Sequence, residues 1–83
     1  MDKPIKKFRA GSVEAAIWLN SRDVDGTRVE FKTVTLRRSW RDRDSGDWRD
    51  ERINLRRSDL PKFLVVLSEV QKALFLEGED KDG

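Results

Sequence analysis

The stretch RRSWRDRDSGDWRDER, residues 37–52, brings Arg37, Trp40, Trp48, Arg49 and Arg52 close together in the chain. Guanidinium groups bind phosphate oxygens, and indole rings stack on nucleobases. Trp18 and Phe31, upstream, could add further flat surface. These seven side chains are the candidate binding residues: the arginines for phosphates and the aromatics for bases. Other chemistry finds little support. The chain has no histidine and no cysteine, so the commonest general base, thiolate metal sites and disulfides are all missing. Ser12, Ser21, Ser39, Ser45, Ser58 and Ser68 have no histidine to activate them. DRDSGD resembles the start of a calcium loop, but counting from Asp42 the position that needs a bidentate glutamate is Ile53. The chain therefore reads as a non-enzyme with no metal, cofactor or small-molecule substrate.

The elements that must carry these residues can be read from apolar periodicity. In GSVEAAIWLN, Val13, Ala15, Ile17 and Leu19 alternate onto one strand face, and Glu14, Ala16 and Trp18 onto the other. SRDVDG reads as a turn. TRVEFKTVTLRRSW reads as a long β-branched strand whose apolar parity changes between Phe31 and Val34. Either a bulge near Lys32 and Thr33 or burial on both faces would reconcile the two halves. RDRDSGD is a second turn and WRDERINL a further strand. Ser58 or Asp59 can cap a helix with Pro61 in its first turn, running to about Glu77. A further short strand can lie near Phe8. The pattern is an α+β domain: an antiparallel meander of three to four strands followed by one C-terminal amphipathic helix. Residues 1–7 read as a loose basic arm, 8–77 as the binding domain, and 78–83 as an acidic tail after a helix-ending Gly78.

Register follows from burying Val34 and Leu36 beside Ile53 and Leu55, which sets Leu36 opposite Ile53. Arg38 then faces Glu51, and Trp40 faces Arg49, whose guanidinium can stack on the indole. On the other face Arg37 lies opposite Arg52 and Thr35 opposite Asn54. Like charges directly opposed are destabilising, so an anion between Arg37 and Arg52 would resolve the conflict. The helix has a surplus of apolar surface. Leu60, Phe63, Leu64, Val66, Leu67, Val70, Ala73, Leu74 and Phe75 cover an arc of roughly 200°, against roughly 100° for packing on one sheet. Either the helix is sunk deep in its own sheet, which is small for that, or the same helix of a second copy covers the rest, with Phe63, Val66, Leu67, Val70 and Leu74 in the dimer seam; the second is the expectation. A chain of 83 residues has a small core, which also favours assembly.

Charged residues form 41% of the chain, yet the net charge is only +2, so anion binding must come from local arrangement. No apolar run approaches a membrane span and no signal-peptide pattern opens the chain. The expected setting is cytoplasmic and nucleoid-associated, or nuclear in a eukaryote.

RRSW, the DRDSGD turn, the strand end INL and FRAG at residues 8–11 together resemble the single-strand-binding domain of the positive cofactor four family of transcriptional coactivators. The likeness runs from residue 8 to about 76. It implies a homodimer with a strongly curved sheet in each chain, helices at the dimer interface, and single-stranded DNA or melted duplex held across the sheets. Arg37 and Trp40 fall on the family's motif positions, and Arg49 and Arg52 on its basic second hairpin strand. Ser39 stands where the family has an aromatic, and Asp50 and Glu51 interrupt the basic strand. The expected partner is single-stranded DNA or RNA. A protein-interaction adaptor using the same sheet face is the alternative, and a structural domain whose helix only builds an oligomer is a third reading.

Overall fold

The computed structural model describes residues 3–77. The acidic tail 78–83, its Gly78, and the first two residues of the basic arm lie outside the described residues. Four strands follow in order: β1 (Lys6–Ala10), β2 (Val13–Val24), β3 (Thr27–Arg41) and β4 (Trp48–Arg56). They form one antiparallel meander, each strand paired with the next. A 3-10 turn, Arg57–Asp59, leads into the helix α1, Leu60–Glu77. This is the expected α+β architecture, with the further short strand near Phe8 present as the fourth.

β1 begins at Lys6, and the amide of Ile5 already donates to the Ile17 carbonyl at 2.8 Å. Lys6 and Lys7 therefore belong to the sheet rather than to a loose arm. The first long turn is also shorter than its composition suggests. Residues Ser21 to Val24 remain paired with Arg28 to Glu30 and Thr27, and the chain reverses at Asp25-Gly26 alone. Both turn residues have positive φ, 52° and 80°. That backbone matches the right-handed strand twist, and an Asp-Gly pair adopts it readily.

Pairing of β2 with β3 is unbroken from Val13↔Arg38 to Val24↔Thr27. No bulge is needed, and the change of apolar parity in β3 is a real change of face. Val34 and Leu36 join Phe8, Ala15, Ile17, Ile53 and Leu55 on one side; Val29 and Phe31 lie on the other. The β3–β4 register places Leu36 opposite Ile53, as burial of the apolar pairs demands.

The helix is not sunk in its own sheet. Asp59 Oδ2 accepts the Arg56 amide at 3.0 Å and closes the 3-10 turn, and α1 then leads away from its own sheet. Its contacts with the fold are made at its start, through that turn. Leu64, Val66, Leu67, Val70 and Leu74 are exposed, and Phe75 is 81% exposed. Phe63 alone of the five seam residues is half-buried. Among the described residues only Ala16 and Leu55 are buried. The radius of gyration is 17.2 Å, against about 12 Å for a compact domain of this length. The smallest dimension is 17 Å, so a single chain is one layer with an apolar sheet face and an apolar helix both uncovered.

Candidate functional site

The register sorts every candidate residue onto one face or the other. The face opposite the apolar one is built from three cross-strand rows: Trp18, Thr33 and Arg56; Lys7, Ala16, Thr35 and Asn54; Arg9, Glu14, Arg37 and Arg52. Phe31 extends this face at one end, and Ser39, Asp50 and Trp48 extend it at the hairpin end. Each row follows from the two-residue period of strands, which turns alternate residues to the same side.

Three depressions run along this face. One of about 390 Å³ is bordered by Trp48, Arg9, Ser39 and Arg37. The next, about 220 Å³, holds Arg37, Arg52, Lys7, Thr35 and Trp18. The third, about 450 Å³, lies between Trp18 and Phe31 over Thr33, Thr35 and Asn54. Arg37 is common to the first two, and Trp18 with Thr35 to the last two, so the depressions adjoin end to end as a groove along this face. From Phe31 to Ser39 it follows β3 for roughly 27 Å at strand rise. Aromatic rings stand at its ends and in its interior, with Lys7, Arg9, Arg37, Arg52 and Arg56 between them.

The side chains of the groove are held in place. Trp18 Nε1 donates to Thr35 Oγ1 at 3.0 Å, and Asn20 Nδ2 donates to Thr33 Oγ1 at 2.8 Å. The first bond anchors the indole N–H of Trp18, and the second ties β2 to β3 beside it. Arg22 lies over the Phe31 ring at 5.4 Å, a cation–π contact that brings another cation to this end. Trp48 is 68% exposed at the other end.

The opposition of Arg37 and Arg52 is present, but it is not left unrelieved. Arg37 Nε lies 2.9 Å from Asp50 Oδ2, and Arg37 Nη1 lies 3.7 Å from Glu14 Oε1. Arg52 Nη2 is 3.9 Å from the same Asp50 oxygen. The chain thus supplies its own anion between the two guanidiniums. The contact at 2.9 Å is ionic without being a directed hydrogen bond: the buried Nε–H of Arg37 makes none. That leaves a preformed donor whose present partner is poorly aligned.

Trp40 and Arg49 are not part of this groove's floor. By register both belong to the apolar face. The cation over the Trp40 ring is Arg38, at 4.7 Å, which also pairs with Glu51 at 3.1 Å. Arg49 instead donates from Nε to Asp42 Oδ2 at 2.7 Å and only borders the depression at the hairpin end. Asp42 organises that hairpin turn. Its Oδ1 accepts the amides of Asp44 at 2.8 Å and Ser45 at 3.3 Å. The Ser45 amide first, then Asp44 and the Arg49 guanidinium, hold the Asp42 carboxyl below its ordinary range. The calcium-like spacing of DRDSGD is therefore spent on the turn's own backbone.

Of the seven candidates, the fold brings together Arg37, Arg52, Trp18, Phe31 and Trp48 on one face, leaves Arg49 at the border of the hairpin-end depression, and sets Trp40 apart. It adds Lys7 and Arg9, which strand parity assigns once β1 is paired, and Arg56, while Thr33, Thr35 and Asn54 lie on the face that the register gives them. Among the described residues there is no cluster of three or more acidic side chains suited to a metal, and no helix long and apolar enough to cross a membrane. No family model matches the chain, and no curated protein or solved structure is similar to it.

Proposed function

We propose that the chain binds single-stranded nucleic acid, DNA in the first instance, along the groove of the polar sheet face, as a homodimer serving transcription or DNA metabolism. The observation that carries this reading is the groove's order of parts: Trp48, then Arg37 with Arg52 and Lys7, then Trp18 and Phe31. Bases stack on rings without regard to sequence while guanidiniums take the phosphates between them. A duplex reader would instead offer a polar helix or ribbon to the major groove, and α1 is apolar. The likeness to the positive cofactor four family suggests the same use of a sheet surface.

The homodimer rests on the uncovered apolar surface. A soluble chain rarely exposes contiguous apolar area on this scale. The helix and the apolar sheet face of one chain are complementary in character to those of a second, and a dimer gives each a dry side.

Fluorescence anisotropy of a labelled oligothymidine of about 20 nucleotides, at low and moderate salt, tests the binding. Micromolar or tighter affinity that falls with salt and exceeds that for the matching duplex supports the reading. Arg37→Glu with Arg52→Glu abolishes it. Absence of binding at low salt refutes it. The mixed charge around Arg37, Glu14 and Asp50 favours one alternative, an adaptor that docks a protein of similarly mixed charge on this face. Salt-insensitive capture of a protein with no oligonucleotide affinity would select that alternative.

A further inference from the structure

The β2–β3 hairpin outruns the strands beside it. β1 pairs with β2 only as far as Ile17, and β4 with β3 only as far as Thr33, so residues 19–32 project from the sheet as a two-stranded arm. Along this arm the two sides exchange character. On the side of the groove the register sets Asn20 with Phe31, Arg22 with Val29 and Val24 with Thr27, and the three apolar side chains there are all exposed. On the reverse side, which continues the apolar sheet face, Asp23 faces Arg28 and Glu30 faces Ser21.

The charges are sorted too. Among the described strand residues on the groove side of the arm, Arg22 carries the only charge, and both strand carboxylates, Asp23 and Glu30, fall on the reverse. A two-stranded hairpin is at best marginally stable alone, and one that meets only water gains nothing from gathering its apolar side chains on one side. A strand of nucleic acid uses this combination: apolar surface under the bases, a cation for a phosphate, and carboxylates turned away. A protein partner of mixed charge would be met by both signs. The arm also begins where the groove ends, because Asn20 and Phe31 line one depression with Trp18 and Thr33, and Arg22 lies over the Phe31 ring at 5.4 Å.

Building on the single-strand reading, we propose that the arm is a second part of the nucleic-acid path. A single strand leaving the depression at Phe31 continues over Val29 to Val24, and Arg22 takes a phosphate at the junction. From Phe31 to Thr27 the arm adds roughly 13 Å at strand rise, room for up to about four stacked nucleotides.

The test is anisotropy of fluorescein-labelled dT20 with the full chain at about 100 mM salt, with folding checked by circular dichroism. Val24→Asp with Val29→Asp puts two carboxylates in the path and weakens binding about tenfold. Arg28→Ala with Lys32→Ala makes the same change of net charge on the reverse side, beyond about one Debye length, and leaves affinity within about twofold. Arg22→Gln makes the dependence of log K on log salt shallower by about 0.7, one phosphate contact, and decides the matter even where the aspartate pair folds poorly. A folded aspartate pair that binds like the wild type overturns the arm and returns its apolar side to a protein partner. Equal weakening by the two pairs, or an unchanged salt slope in Arg22→Gln, also overturns it while leaving the groove in place. Failure of the wild type to bind dT20 overturns the arm together with the single-strand reading.

Discussion

Asp50 should act as a built-in competitor for the nucleic-acid phosphate, so Asp50→Asn should tighten binding. Its Oδ2 lies 2.9 Å from Arg37 Nε and 3.9 Å from Arg52 Nη2. A phosphate approaching Arg37 must displace this carboxylate and then remain near it. Two unit charges about 5 Å apart repel by roughly 0.8 kcal/mol in water and about 3 kcal/mol at an effective dielectric of 20. The Arg37 and Asp50 side chains are 42% and 38% exposed, so the lower part of that range applies, trimmed further by salt. Parting the exposed ion pair costs about 0.2–1 kcal/mol more. Removing the charge should therefore gain about 1 kcal/mol in binding, roughly fivefold in Kd. The same change leaves Arg37 and Arg52 opposed without a mediator, which should lower stability by about 0.5 kcal/mol. Tighter binding with a lower Tm is a combination that a general structural role for Asp50 does not produce. Anisotropy titrations with dT20 at about 50 and 200 mM salt, alongside thermal melts, measure both. Unchanged or weaker binding by a folded Asp50→Asn protein refutes the competition and removes Arg37 from the phosphate path.

The assembly and the hairpin turn give two further tests. Leu67→Lys with Val70→Lys places charge in the exposed helix seam and should convert a dimer into poorly folded monomer, as read by sedimentation equilibrium and circular dichroism; a folded wild-type monomer would refute the dimer. Asp42 has a lowered pKa, so its stabilisation of the turn is fully present above the unfolded carboxylate value of about 4 and is lost as pH falls through the folded value. Asp42→Ala should thus lower the Tm at neutral pH, and the gap to the wild type should close on acidification below about pH 4; a gap that is constant with pH would show that the carboxylate's charge is not what holds the turn.

The strands and their register were legible in the sequence because parity leaves little freedom. A one-residue slip between β3 and β4 would turn Leu36 and Ile53 to opposite faces, so Leu36↔Ile53 and Arg37↔Arg52 follow from burial alone. The Asp25-Gly26 reversal was written in the chain too, but the polar composition of Ser21 to Val24 concealed that these residues stay paired. Polar strand residues at an exposed hairpin tip resemble a loop in composition and differ only in their ladder bonds.

Charge pairing was not legible. Arg49 faces Trp40 in the register, but Asp42, fixed by its turn, takes Arg49, and the cation over the ring is Arg38. Asp50 looked like an interruption of a basic strand, whereas its neighbours in space make it the mediator between Arg37 and Arg52. Element order, the two sheet faces and the apolar surplus on the helix follow from local periodicity and can be read from the residues in order. Which ions meet, that the depressions adjoin from Trp48 to Phe31, and that α1 leaves its own sheet uncovered emerge from the folded chain. Those depend on twist, rotamer and the direction of a three-residue 3-10 turn, which no spacing of residues encodes.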